Sequence, residues 1–533
     1  MKSFIFGLAL TFLLGWTLVL RTYHAGVAPV PELPAARQIE GTFISKDQFG
    51  MHHLLLSGNP YERGLQSGSH TRDLLLKQED VLFDQLSRFL PSKSLLPPLT
   101  LAGIWWFGGV EKYIEPWMLQ EMYGVSRFAP QKYDHVIDGY TRQIVYHGIH
   151  EVGQMSVDQG LEAMGCTVIA HPLGGQWVLG RNFDFEAGRV FDEEKILKWV
   201  FPDEGHAFLS VIWAGMVGAV TGVNDQGLYI SLNAAGSEDF RRIGLPSTLV
   251  ALKVLQFAKD LNDAIEILRR EQVFITDIYV LLDAKTGRLV RVEKSPARFA
   301  VVELQGPSVV ANHLIADIWK DDKVNRDRRQ YLTSTARQDR GEELLGALKG
   351  RDFQKSPELE IEVLKILRDK GRTDDGQPLH LGHRRAIDAL IATHSVIYNS
   401  RDRVFYVGKG PAVAGAFVGY DLEASFRERK PVFVRELPAD PDVTPAQFKA
   451  IQESWEELRW TRLALWRKDC DAAQAHLERA AGTFKEQGDY YLTLGKWHEC
   501  RQEMDQARAA WRHALDLVPA YHKDRLDLER KLQ

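Results

Sequence analysis

Cys166, Arg181 and Asp184 bring a nucleophile, a cation and a carboxylate within one short stretch of chain. Cys166 begins an apolar run, Cys166-Thr167-Val168-Ile169-Ala170, that reads as a strand. Pro172-Leu173-Gly174-Gly175 is turn chemistry, and Trp177-Val178-Leu179 reads as the returning strand. Such a hairpin sets Arg181 and Asp184 near the level of Cys166. A thiol there is a candidate nucleophile, because the thiolate is the reactive form and a neighbouring guanidinium favours it. The competing reading is a buried cysteine beside a surface ion pair, since free cysteine is among the most buried residue types.

The elements that would position these residues can be followed along the chain. Leu54-Leu55-Leu56 reads as a strand that runs into Ser57-Gly58-Asn59-Pro60-Tyr61-Glu62-Arg63-Gly64 and Gly68; Asn-Pro marks a turn, with a helix following through Leu74-Leu75-Leu76. Residues 95–128 are rich in aromatics (Trp105, Trp106, Phe107, Trp117). They read as core, with an apolar acyl pocket or a lipid contact as the functional alternative. Tyr133–Val152 reads as helix. Strands are expected at Ala207–Trp213, Val217–Val223 and Leu228–Asn233, with Asn224-Asp225-Gln226-Gly227 as a hairpin turn. Leu249–Arg270 reads as one or two helices with a break at Asn262-Asp263. Further strands are expected at Ile278–Leu282, Leu289–Val292, the run ending in Asn312-His313, Thr393–Tyr398 and Val404–Val407, and helices at Arg326–Leu348 and Ser356–Leu367. Strands, then helices, then strands predict an α+β fold with helices covering antiparallel sheets.

A chain of 533 residues predicts two or three domains. Its 45% hydrophobic and 26% charged residues are ordinary for a globular protein. A net charge of −5, with no basic stripe interleaved with aromatics, gives no sign of a nucleic-acid partner. The cysteines are Cys166, Cys470 and Cys500, and their spacing suggests neither a zinc site nor a disulfide framework. At the N-terminus, Lys2 precedes an uncharged run from Phe4 to Leu20, closed by Arg21. The run is at the low edge of a membrane span and longer than most signal-peptide cores, so residues 1–25 read as a signal anchor in preference to a cleaved signal peptide. The body is then expected to be exported and membrane-anchored, on the periplasmic or other extracytoplasmic face. Residues 26–44 read as a linker, 45–435 as the main domain and 436–445 as a second linker.

Residues 446–533 carry no strand signal. Ala473, Leu477 and Ala480 recur 34 positions later as Ala507, Trp511 and Ala514 (473 to 507, 477 to 511, 480 to 514), and Pro519 stands where a repeat would close. This resembles a tetratricopeptide (TPR) pair, with a plain helical cap as the alternative. Cys470 and Cys500 lie here, either paired or as buried thiols.

Taken in order, Gly58-Asn59-Pro60-Tyr61-Glu62-Arg63-Gly64…Gly68, Gly165-Cys166-Thr167, Gly180-Arg181-Asn182-Phe183-Asp184, Ala311-Asn312-His313 and Thr393-His394-Ser395-Val396 resemble the acyl-coenzyme A:6-aminopenicillanic acid acyltransferase family of N-terminal nucleophile hydrolases. Penicillin V acylase, bile salt hydrolase and acid ceramidase are its relatives. The resemblance covers roughly residues 45 to 415 and implies an αββα sandwich, here followed by the all-α TPR-like tail. It also implies scission between Gly165 and Cys166, which frees an α-amine beside the thiol. Such an amine has a reference pKa of about 7.7–8.0 and can act as the base. Asp184 matches the carboxylate that orients amine and thiol. Arg181 matches an arginine beside the thiol, Asn312 an oxyanion-hole donor, and Asn233 a further oxyanion or substrate-amide donor. A later arginine of the family corresponds to Arg384 or Arg385. His313 and His394 read as structural. Val168 departs from the small or polar residue that many relatives carry.

The expected activity is hydrolysis of a linear amide of a small N-acyl substrate through a Cys166 thioester, with no metal and no cofactor. Two alternatives stand beside it: transfer of the acyl group to an amine, and a membrane-tethered TPR scaffold with a relic catalytic fold. In each, the N-terminal segment is the membrane contact and the tail offers a surface to a protein partner.

Overall fold

The computed structural model describes residues 29–37, 41–89, 102–103, 105–148, 150–151, 153–154, 164–186, 188–373 and 375–533. The apolar run Phe4–Leu20 lies outside them. No helix among the described residues is long and apolar enough to cross a membrane.

Two sheets carry a mixed α+β fold, with strands numbered in chain order. The first has nine strands in the order β1 (Phe43–Lys46), β2 (His52–Gly58), β5 (Ile196–Pro202), β6 (Phe208–Ile212), β7 (Thr221–Asn224), β8 (Leu228–Ala234), β9 (Asp277–Asp283), β10 (Arg288–Lys294) and β11 (Phe299–Glu303). The second has seven: β12 (Ser308–Val310), β3 (Met164–Leu173), β4 (Gln176–Phe185), β13 (Ala392–Asn399), β14 (Val404–Gly408), β15 (Phe417–Asp421) and β16 (Phe433–Leu437). Neighbours pair antiparallel except β2 and β5, which run parallel.

Side-chain alternation along the strands sorts the core into layers. Leu228, Ile230 and Leu232 of β8 pack against the helices Ser247–Phe257 and Leu261–Arg270. Tyr229, from the other face of β8, stacks on Tyr398 of the second sheet, with ring centroids 5.8 Å apart. Val168, Ala170 and Leu179 fill the space between the sheets. Ile169 and Val178 point the other way, toward the helix Glu358–Leu367. The order is therefore helices, sheet, sheet, helices.

The segment around Asn59 is a packing device. The Asn59 side chain accepts from the Glu62 amide (3.0 Å), and Glu62 accepts from the Asn59 amide (2.8 Å), so the two cap the helix Pro60–Phe89. That helix crosses Pro116–Ser126 at Gly64 and Gly124, where an added methyl on either would overlap the backbone of the other helix. Arg63, buried at the same crossing, pairs with Glu121 at 2.6 Å.

Several elements differ from the sequence reading. The expected helix Tyr133–Val152 begins its regular part at Gly139, because the Asp138 side chain accepts from the amides of Tyr140 and Thr141. The break in Leu249–Arg270 falls at residues 258–260, where Asp260 caps the second helix; Asn262 and Asp263 lie inside it. Arg326–Leu348 is two helices, Lys323–Tyr331 and Ser334–Gly346. Strands β1, β5, β11, β15 and β16 were not anticipated, and β16 runs across residue 435.

Five helices follow β16: Pro445–Trp466, Cys470–Phe484, Gly488–Cys500, Met504–Asp516 and His522–Leu532. Ala473, Leu477, Ala480, Ala507, Trp511 and Ala514 are all buried. Phe448, Ile451, Trp455 and Leu458 join the core on the outer face of the second sheet. Trp455 Nε1 donates to Gly382 O (3.0 Å) and Gln487 Nε2 to Leu381 O (2.8 Å), so the tail is packed onto the sheet body. Cys470 and Cys500 are joined by a disulfide; the tail thus holds the staple that their spacing had not suggested.

Candidate active site

The β3–β4 hairpin sets the register of the site. Gly165 lies opposite Asp184, Cys166 opposite Phe183 and Val168 opposite Arg181. Residues alternate between faces, so Cys166, Phe183 and Arg181 share the face toward the first sheet, and Gly165 and Asp184 share the face toward the helices. The site therefore straddles the end of one sheet, and the Gly165–Cys166 peptide runs through its middle.

On the inter-sheet side, Cys166 is fully buried. Arg181 Nη2 is 4.0 Å from Cys166 Sγ. The same guanidinium donates to Val220 O (2.9 Å), Thr221 Oγ1 and Leu232 O, which ties β4 to β7 and β8. Burial pushes the Cys166 thiol up from its ordinary value, and the positive charge of Arg181 opposes that. His394 completes this side: its ring stacks on Phe183 at 5.0 Å and bonds Thr221 Oγ1 at 2.9 Å.

On the helix side, Asp184 is buried, and burial pushes its carboxyl up to about 7 despite the neighbouring Arg337. A side chain built onto Gly165 would come within 3.5 Å of Asp184 Oδ2 and 3.4 Å of Arg337 Nη2. Asp184 thus lies against the Gly165–Cys166 peptide, and the thiol lies on the opposite face.

Arg337 enters from the first turn of the helix Ser334–Gly346. It donates to Cys166 O (2.6 Å), Thr167 Oγ1 (2.7 Å) and Asn312 Oδ1 (2.7 Å). Asn312 Oδ1 also accepts from the Cys166 amide at 2.8 Å, while its Nδ2 donates to Ala234 O at 2.8 Å. Two donors meet the Oδ1 end and a carbonyl meets the Nδ2 end, which fixes the orientation of the amide. Asn312 therefore acts here as an acceptor that holds Cys166 N–H; its own donor is engaged by Ala234 O. Asn233 Nδ2 donates to the carbonyls of Val310 (3.1 Å) and Ala311 (3.2 Å), which pins the end of β12 beside the site, and its Oδ1 has no partner.

Arg337 was missed by sequence reasoning, which looked for a late arginine at Arg384 or Arg385. Arg384 bonds Glu186 at 2.8 Å and lies over the Trp455 ring at 4.2 Å, and its charge, like that of Arg337, opposes the upward shift of Asp184. No local sequence pattern marks Arg337; a tertiary contact places its helix, the Ser334 hydroxyl accepting from the Asn312 amide (2.7 Å) and bonding His313 Nδ1 (2.8 Å). The described members of the aromatic segment 95–128 do not line the apolar cavity beside the site; its walls come from the Pro60–Phe89 helix, Tyr146, His147 and His150, β3, β4, Phe191, the loop after β6 and Thr248. No cluster of metal-ligating side chains occurs among the described residues.

Residues 173–388 match the model of the acyl-coenzyme A:6-aminopenicillanic acid acyl-transferase family. The family segment starts just past Cys166 and takes in Arg181, Asp184, Asn233, Asn312 and Arg337. An uncharacterized protein of Archaeoglobus fulgidus is 26% identical over 269 residues, 47% of this chain and 45% of its own length, so the chain matches about half of that relative. Among solved structures, a Caenorhabditis elegans N-acylethanolamine-hydrolyzing acid amidase ortholog aligns with TM-score 0.33 and 14% identity, over 51% of this chain and 100% of its own. A variant of the conjugated bile acid hydrolase from Clostridium perfringens aligns with TM-score 0.33 and 14% identity, over 52% and 100%.

Proposed function

We propose that this chain is a self-processed cysteine amidase of the N-terminal nucleophile type, which hydrolyses a linear amide of a small N-acyl substrate. The observation that carries the reading is the grip on Cys166, whose N–H belongs to the Gly165–Cys166 peptide and whose C=O belongs to the next one. Cys166 N–H is bonded to Asn312, Cys166 C=O is bonded to Arg337, and Asp184 lies against Gly165. The family match of the segment that supplies these partners supports the same reading.

In the first reaction, Cys166 Sγ attacks the Gly165 carbonyl carbon. The C–N bond of the Gly165–Cys166 peptide breaks, its nitrogen takes a proton, and a thioester joins Gly165 to the sulfur. Water hydrolyses the thioester, which leaves a Gly165 carboxylate and a free Cys166 α-amine. A thiol is only a few per cent thiolate near neutrality and needs a base. The new amine, with Asn312 Oδ1 and Asp184 as neighbours, supplies one next to the sulfur, and Arg181 favours the thiolate. In the second reaction the sulfur attacks the substrate carbonyl, the amine product leaves with the proton, and water releases the acid.

Acyl transfer to an amine is the second reading, supported by the name of the matched family. We read the chain as exported, which favours water as acceptor; the Cys470–Cys500 disulfide supports an oxidising compartment. The 34-residue repeat of buried positions supports a TPR-like tail. A membrane-tethered scaffold with a relic catalytic fold would keep the buried cluster of Cys166, Arg181, Asp184 and Arg337 but form no acyl adduct on Cys166.

The test is an acid quench during turnover of a panel of N-acyl amides, followed by peptide mass analysis. The acyl mass is expected on the Cys166 peptide and should be removed by hydroxylamine. Turnover with no adduct at Cys166 under rapid quench, or with an adduct at another residue, contradicts the mechanism. A competing amine that captures the acyl group in place of water selects the transferase reading.

A further inference from the structure

Met164, Phe183 and Phe185 share a sheet face with Cys166, and all three line a cavity of about 100 Å3. Most of its wall is apolar, with Leu75, Phe191 and Trp213 among the contributors. Of the polar residues in that wall, Gln78, Tyr146, His147 and Thr248 have hydrogen-bond partners, which leaves Glu79 and His150. Both are more than nine-tenths buried, with Glu79 0% and His150 7% exposed.

Their hydrogen bonding is incomplete. Glu79 Oε1 accepts from Arg142 Nε (2.8 Å) and the Tyr146 hydroxyl (2.7 Å), but Glu79 Oε2 has no partner among the described residues. Neither ring nitrogen of His150 has one among the described residues. Burial pushes His150 down to about 3, so near neutrality the ring is uncharged and presents one donor and one acceptor. The adjacent His147 shows the contrast: its Nε2 accepts from the amides of Val217 (2.9 Å) and Gly218 (3.1 Å), and its Nδ1 bonds Gln143 O at 2.7 Å. Buried polar groups in native proteins are nearly always paired. A wholly apolar chain filling this cavity would leave those three atoms unpaired; one hydroxyl, donating once and accepting once, would pair two of them.

We propose that the cavity beside Cys166 takes an acyl chain carrying a neutral hydrogen-bonding substituent, a hydroxyl or its equivalent, held by His150 and Glu79. This rests on the amidase reading, and it names the class of acyl group. His150 and Glu79 are then specificity-determining residues: they reject unsubstituted chains as well as bind substituted ones.

The test measures binding of the product acids, so that it does not depend on turnover. Dissociation constants are determined by calorimetry for a series of medium-chain fatty acids with one hydroxyl at successive positions, each against the plain acid of equal length. At least one hydroxylated acid is expected to bind about tenfold or more tightly than its plain partner, by the worth of one or two buried hydrogen bonds. His150→Phe, and separately Glu79→Gln, should shrink that ratio toward one, with melting curves checking that each variant folds. Equal binding of hydroxylated and plain acids by the wild type at every position overturns the proposal, as does a preference that both variants retain. Discrimination in binding by a protein that cleaves no amide would sink the amidase reading and leave the binding site standing.

Discussion

At the residue scale, the site is Cys166 held at its N–H by Asn312 and at its C=O by Arg337. Arg337 makes three hydrogen bonds that lysine cannot reproduce, since a single ammonium lacks the planar fork. Arg337 bonds the carbonyl of Cys166 and not that of Gly165, so it positions the nucleophile; Arg337→Lys is expected to slow chain scission by on the order of 100-fold through misplacement, followed on a denaturing gel as one band becomes two. Processing at the wild-type rate would remove Arg337 from the account. Asp184 gives a second prediction. Its carboxyl titrates near 7 in the folded chain and near 4 when unfolded, so the folded chain holds the extra proton between those values. Stability must then fall as pH rises through that window. On a Cys166→Ala background, Asp184→Asn should flatten this dependence and raise stability at pH 8 by on the order of 2 kcal/mol, read by denaturant titration at pH 5 and pH 8. Equal stabilities of the pair at both pH values would mean that the carboxylate is not strained by burial.

At the element scale, the helix crossing at Gly64 and Gly124 fixes where the Pro60–Phe89 helix lies, and so where Glu79 meets the cavity. Gly64→Ala meets backbone at that crossing, where nothing can yield cheaply. A loss of about 1–3 kcal/mol is expected, seen as a lower melting temperature. An unchanged melt would show that the two helices sit further apart. Much at this scale was legible in the sequence. The β3–β4 hairpin was readable because Pro172-Leu173-Gly174-Gly175 sits between two apolar runs, and it carried Cys166, Arg181 and Asp184 with it. β5 was not, since Ile-Leu-Lys-Trp-Val-Phe-Pro neither alternates nor starts at a turn. Its Lys198 is buried, held by the carbonyls of Met216 (3.3 Å) and Val217 (2.7 Å), a long-range arrangement that no local pattern announces. Arg337 was hidden for the same reason: it sits on a helix with no motif of its own, and only tertiary packing brings it to Cys166.

At the scale of the whole molecule, the tail is part of the sheet body's core. Trp455 is buried among Ile451, Leu458 and Phe484 and carries Arg384 on its ring. Trp455→Ala should cost about 3–5 kcal/mol and shift a single melting transition. Two separate transitions, with only the smaller one shifted, would make the tail an independent unit. The Cys470–Cys500 disulfide spans 30 residues, a loop for which chain-entropy reasoning gives about 3.5 kcal/mol. Cys500→Ser should lower stability on that order under non-reducing conditions.

The central claim is that Cys166 becomes the first residue of a new chain, and intact-mass analysis of the purified full-length protein tests it most directly. The account predicts two fragments of wild type, one ending at Gly165 and one beginning at Cys166, and a single uncut chain for Cys166→Ala. An active wild-type protein whose Gly165–Cys166 bond stays whole would contradict it.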